Sequence, residues 1–176
     1  MGGNALKNIE TRRVDAQEYH NQLKPDLFSK IRKALPQAKF DDIVAYKQKK
    51  DFGDMDILLA LEHIDGDWRN IIRQHFNPKD VSINTNSKGT LKKETVFSFE
   101  YRDFQIDLIP IEPYFYDFAY HYYSYNDLGN LIGKIAKSIG FKFGHKGLQY
   151  QLRDPENENN VKNILVSNDF YKSIKF

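Results

Sequence analysis

Cysteine is absent from the sequence, which excludes disulfides, thiolate metal sites and a cysteine nucleophile and fits a reducing compartment. No apolar run approaches the ~20 residues of a membrane-spanning helix. Met1-Gly2-Gly3-Asn4 lacks the pattern of a secretory signal, and Leu6 stands where N-myristoylation needs Ser or Thr. The expectation is a cytoplasmic protein, or one of a host cytoplasm if viral, with no membrane partner. There is no internal repeat, heptad, low-complexity tract, nucleotide-binding P-loop or nucleophile elbow. The five histidines, His20, His63, His75, His121 and His145, include no pair at ligand spacing beside an acid. A net charge of +2 is too near neutral to argue for nucleic acid by itself.

What is present is ordinary in charge and rich in rings, with 13 Phe and 11 Tyr in 176 residues. That length allows one well-buried core and a smaller lobe. After an irregular arm over residues 1–14, Tyr19, Leu23, Leu27, Ile31 and Leu35 fall four apart. The spacing predicts a helix capped by Asp15 and divided or bent at Pro25. Residues 39–50 read as a strand around Ile43, Val44 and Ala45, and Trp68 to Phe76 as a helix after the loop Asp65-Gly66-Asp67. Val81 and Ile83 mark a short strand, and residues 84–89 a turn. Residues 95–101 and 104–109 form a hairpin across Arg102-Asp103. Helices are expected from Pro113 through Phe118 and over residues 127–138, then a short hairpin of residues 141–143 and 148–152. Residues 154–160 form a polar loop, and residues 161–176 one or two short helices capped by Ser167 or Asn168. The composition shifts near residue 112, from strands and carboxylates to aromatics and helices.

The most informative run is Asp51-Phe52-Gly53-Asp54-Met55-Asp56-Ile57-Leu58-Leu59. Side chains of a strand alternate, so Asp54 and Asp56 share one face while Met55, Ile57 and Leu59 share the other. Further along, Phe104, Ile106 and Leu108 alternate with Gln105, Asp107 and Ile109, so a third carboxylate stands out from a strand whose opposite face is apolar. If the two strands are neighbours, three carboxylates converge. A hard divalent cation relieves such repulsion; Mg²⁺ is expected from an all-oxygen donor set, with Mn²⁺ as a substitute.

Gly53-Asp54-Met55-Asp56 with its aliphatic continuation, and Ile106-Asp107-Leu108-Ile109-Pro110 after it, resemble the nucleotidyltransferase superfamily. Within it they look like the palm of DNA polymerase beta and its family X relatives. The resemblance covers roughly residues 39–153, extending through Tyr122-Tyr123-Ser124-Tyr125-Asn126-Asp127-Leu128-Gly129-Asn130 to Gly140-Phe141-Lys142-Phe143. It implies an α+β fold in two parts. Residues 1–112 would be a palm, a small mixed or antiparallel sheet with helices on one face and an N-terminal helical arm; residues 113–176 would be a small thumb-like α+β lobe. It also implies two Mg²⁺ ions, with Asp54 and Asp56 bridging both and Asp107 binding the hydroxyl-side ion. By the same resemblance Gly53 lies at the nucleotide, Tyr122 and Tyr123 at its sugar and Asn130 at its base, while Lys134 faces template or base.

This chain departs from the pattern at Tyr125, where the family has glycine, and at Gly129, where an aromatic precedes the Asn. The family's glycine turn, which holds the triphosphate about ten residues before the Asp pair, has no counterpart at residues 43–47. Either Lys47, Lys49 and Lys50 meet the phosphates, or Gly2-Gly3-Asn4 folds back to form a phosphate nest.

The expected activity is that of a metal-dependent nucleotidyltransferase, a minimal polymerase-beta-like enzyme that adds dNMP from a nucleoside triphosphate to a DNA 3′ hydroxyl and releases pyrophosphate. A second reading keeps the chemistry and changes the acceptor to RNA, tRNA, a protein or a small molecule. A third is a non-catalytic nucleic-acid-binding module.

Overall fold

Hydrophobic alternation builds the first half of the chain into a sheet. In the computed structural model, residues 3–62, 67–83, 95–156 and 160–176 are described; Gly2, Asp65, Gly66, the turn at 84–89 and part of the 154–160 loop lie outside them. The chain divides into two units, residues 1–42 with 47–112 and residues 43–46 with 113–176. The protein is of mixed α+β class. Among the described residues no helix is long and apolar enough to cross a membrane.

The first unit runs β1 (Val14–Asp15), α1 (Ala16–Glu18), a π-helical turn (Tyr19–Leu23), α2 (Lys24–Ala34), β2 (Phe40–Asp42), β3 (Asp51–Phe52) and β4 (Asp54–Ala60). It continues with α3 (Trp68–Phe76), β5 (Val81–Ile83), β6 (Phe97–Tyr101) and β7 (Phe104–Ile111). Five strands form one mixed sheet in the order β2-β4-β7-β6-β5. β4 and β7 are parallel, and the other neighbours are antiparallel. Phe104, Ile106 and Leu108 share their face with the paired Tyr101, Phe99 and Phe97, and all six are buried. Trp68 and Phe76 of α3 meet Phe97 and Phe99 edge-on, as Tyr19 meets Phe104. The helices therefore cover the apolar face, opposite the one that carries Asp54, Asp56 and Asp107.

Local chemistry explains most boundaries. Asp15 caps the first helix by accepting the Glu18 N–H at 2.8 Å. Pro25 has no N–H to give and crowds the preceding turn; a π-helical turn absorbs it, with the Lys24 N–H reaching back to the Tyr19 carbonyl. Arg102 and Asp103 both take positive φ, 56° and 59°, the conformation that suits a two-residue hairpin turn. The expected strand over residues 39–50 is corrected: only Phe40–Asp42 pairs in the sheet. Ile43–Tyr46 belongs to the second unit, where the Val44 carbonyl accepts the Tyr125 N–H at 2.6 Å and the Tyr46 N–H donates to Asn126 Oδ1 at 3.3 Å.

The second unit has a 3₁₀ turn (Pro113–Phe115), α4 (Tyr116–Tyr123), α5 (Leu128–Ser138), β8 (Phe141–Gly144), β9 (Gly147–Arg153), β10 (Asn160–Ser167) and α6 (Phe170–Lys175). Phe118, Ala136, Phe143 and Leu148 form its core, with Phe170 packed against them. The helices expected over residues 161–176 are corrected in their first half. Residues 160–167 are a strand antiparallel to β9. The β-branched residues at 161, 164 and 166 favour extended backbone, and the edge of β9 satisfies its N–H and C=O groups. Only the last six residues before Phe176 are helical, and their cap is Asp169, which accepts the Lys172 N–H at 2.9 Å.

Phe104 is fully buried between the helical arm and the sheet. Phe104→Ala should destabilise the protein by about 3–5 kcal/mol, read as a lowered urea midpoint; an unchanged midpoint would contradict this packing.

Candidate functional site

β4 begins immediately after Gly53, and its period of two puts Asp54 and Asp56 on one face. The parallel register with β7 sets Asp56 opposite Asp107 and Asp54 opposite Gln105. Each of the three acids offers a carboxylate oxygen, these atoms lie within 4.8 Å of one another, and all three residues are half-buried. Burial, first, and then the charges of Asp54 and Asp107 push the Asp56 carboxyl up to about 7, with Lys49 opposing. Asp107 is also raised, chiefly by burial, against hydrogen bonds from Ser98 and Gln105 that favour its charged form. The buried Tyr19 phenol is pushed upward by burial and then by Asp42, Asp56 and Asp54. Three carboxylates offering oxygen donors this close together could hold a metal ion.

Three further groups hold the carboxylates. The Gly3 N–H donates to Asp54 Oδ2 at 2.9 Å, across 51 positions of sequence. Gly3 sits at φ +90°, and a Cβ there would lie 2.5 Å from the Gly53 carbonyl oxygen, so only glycine fits this approach. Gln105 Nε2 donates to Asp107 Oδ1 and Oδ2 at 3.0 and 2.9 Å. The Ser98 hydroxyl, buried and paired in register with Asp107, donates to the same carboxylate. Sequence reasoning placed Gln105 on the acid face and missed its role. The available signal was its position two residues before Asp107, which on a strand means the same side.

The other expected residues fall into two groups. In the first unit, Lys49 is half-buried with its ammonium 4.5 Å from the Phe52 ring centre, whereas Lys47, Lys50 and Asn4 are exposed and Gly53 is buried. In the second unit, Tyr122, Asn130 and Lys134 line one cavity of about 770 Å³, together with Lys137, Phe141 and Lys142. Tyr122 Oη donates to Asn130 Oδ1 at 3.2 Å. Tyr123 is not part of that lining; its ring stacks on His145 at 5.9 Å. A Cβ on Gly129 would meet the Tyr122 carbonyl oxygen at 2.1 Å, which explains why no aromatic stands there. Tyr125 has φ 61°, so it adopts the left-handed backbone that glycine takes without strain.

Because the folded state raises Asp56 above its ordinary 3.8, it binds that proton more tightly than the unfolded chain does. The associated stability is intact below pH 3.8 and is lost as the pH rises to about 7. In metal-free buffer the melting temperature of Asp56→Asn should therefore climb relative to the parent across that window and exceed it at pH 8. Parallel profiles for the two proteins would contradict the electrostatic account. No family model matches the sequence, and no curated protein matches it either.

Proposed function

We propose that the chain is a metal-dependent nucleotidyltransferase with a polymerase-beta-like palm, transferring a nucleoside monophosphate from its triphosphate to a DNA 3′ hydroxyl. The observation that carries this reading is the placement of Asp54 and Asp56 on one face of β4 with Asp107 opposite Asp56 on the parallel neighbour β7. Phosphoryl transfer asks a protein for alignment and charge cancellation more than for covalent help. The hydroxyl oxygen attacks the α-phosphorus, the bond to the bridging oxygen breaks, and pyrophosphate leaves.

Asp54, Asp56 and Asp107 would hold the cation, Mg²⁺ or Mn²⁺, as two ions in the family pattern. Bound there, it acidifies the attacking hydroxyl and neutralises charge on the phosphates. Asp107, fixed by Ser98 and Gln105, serves the hydroxyl side. Lys49, whose charge acts on Asp56, brings positive charge toward the triphosphate, with Lys47 and Lys50 exposed in the same turn. The amino-terminal arm, which Gly3 brings to the edge of the acids through its bond to Asp54, is the other stand-in for the missing glycine turn. On this reading the first unit is the palm and the second a thumb-like lobe.

Labelled dNTPs and NTPs with Mg²⁺ should be incubated with primer–template, single-stranded DNA, RNA and a protein acceptor. Extension of the primer is expected. Incorporation that ignores the template would remove the templated version, product on RNA or protein would move the acceptor, and no product at all would favour a non-catalytic binding module and overturn the proposal. Asp107→Ala should abolish transfer while leaving triphosphate binding within a few-fold of the parent; equal loss of both would contradict the division of roles among the acids.

A further inference from the structure

The segment ahead of β1 touches Asp54 directly through the Gly3 N–H and reaches Asp107 through one side chain. Gln105 is 2 % exposed and uses both ends of its amide. Its Oε1 accepts the backbone N–H groups of Ala5 at 2.8 Å and Leu6 at 3.4 Å, while Nε2 donates to both oxygens of Asp107. The partners fix the orientation of that amide. Two backbone N–H groups can only donate and an ionised carboxylate only accepts, so the oxygen faces the arm and the NH₂ faces Asp107. The arm itself is anchored beyond this point. Asp80 Oδ2 accepts the N–H groups of Lys7 and Asn8 at 3.2 and 3.0 Å, and the Arg12 N–H donates to the Asp103 carbonyl at 2.7 Å.

We infer that Gln105, beside Ser98, is a positioning residue for Asp107, and that the arm, through the Ala5 and Leu6 amides, sets Gln105 and so forms part of the ion site. The inference rests on the divalent-cation reading of the three acids; it does not require nucleotidyl transfer. A carboxylate on a strand rotates freely about its last bond. Donors on both oxygens hold its plane and leave its remaining lone pairs directed at one place. Groups that orient a metal ligand in this way typically contribute about 10–100-fold to ion affinity or activity.

The probe is Mn²⁺ alone, titrated into nucleotide-free protein and followed by electron paramagnetic resonance, with a thermal melt for each variant. Gln105→Met keeps the length of the side chain and removes both donor and acceptor. It should weaken Mn²⁺ binding by about tenfold or more while still melting cooperatively. Ala5→Pro removes one N–H and touches no side chain at the acids; a several-fold weakening is expected, because the longer Leu6 bond remains. Adding Gln105→Met to Asp107→Asn should cost little more than Asp107→Asn alone, since both act on one ligand. Unchanged Mn²⁺ affinity in folded Gln105→Met overturns the inference, as does its full additivity with Asp107→Asn or a parent protein that binds no Mn²⁺. Should Gln105→Met not fold, Ala5→Pro decides: weakened binding supports the coupling and unchanged binding overturns it. Intact Mn²⁺ effects without transfer to any acceptor would remove the proposed activity and leave the positioning role standing.

Discussion

Asp56 stands opposite Asp107 across a parallel strand pair, and the two backbones hold these carboxylates together whatever their charges prefer. With Asp54 one alternation along, each ionised pair in such a half-buried cluster repels by an amount on the order of a few kcal/mol. The opposite face of the same strands supplies the counterweight. Met55, Ile57, Ile106 and Leu108 are all fully buried, and each contributes about 1.5–3 kcal/mol. The register that satisfies the core is therefore the register that crowds the acids. A shift by one residue would relieve the repulsion and expose the core, so the apolar face wins.

The same constraint accounts for what surrounds the cluster. Hydrogen-bond donors converge on it from three directions: the Gly3 amide on Asp54, and Ser98 and Gln105 on Asp107. None of these donors carries a positive charge. They orient the oxygens without neutralising them, so the cluster keeps its negative potential. Lys49 opposes the rise at Asp56, and its ammonium lies 4.5 Å from the Phe52 ring centre.

Features built on short-range periodicity were legible in the sequence. Alternation around Met55, Ile57, Phe104 and Ile106 predicted two strands with their acids on one face, and Arg102-Asp103 predicted the hairpin that presents Asp107. Asp15, Pro25 and the helix at Trp68 were likewise read from local chemistry. Long-range pairings were not legible, because no local pattern encodes them. The parallel relation of β4 to β7 is one such pairing. Gln105 is another: on a strand it reads as ordinary polar surface, and its partner Ala5 lies 100 positions away. Residues 43–46 looked like a strand by composition, yet their backbone groups pair with Tyr125 and Asn126. Residues 161–167 read as helix from sequence, yet they pair along the edge of β9 as a strand. Gly3 is a third such pairing, its amide on Asp54 across 51 positions.

Crystals grown with Mn²⁺ and a non-hydrolysable nucleoside triphosphate test the central claim most directly, through the anomalous signal of the metal. The account predicts Mn²⁺ peaks within about 2.0–2.6 Å of carboxylate oxygens from Asp54, Asp56 and Asp107, with the triphosphate sharing at least one ion. Carboxylates without a peak, with Mn²⁺ found only on the nucleotide or elsewhere on the protein, would contradict it.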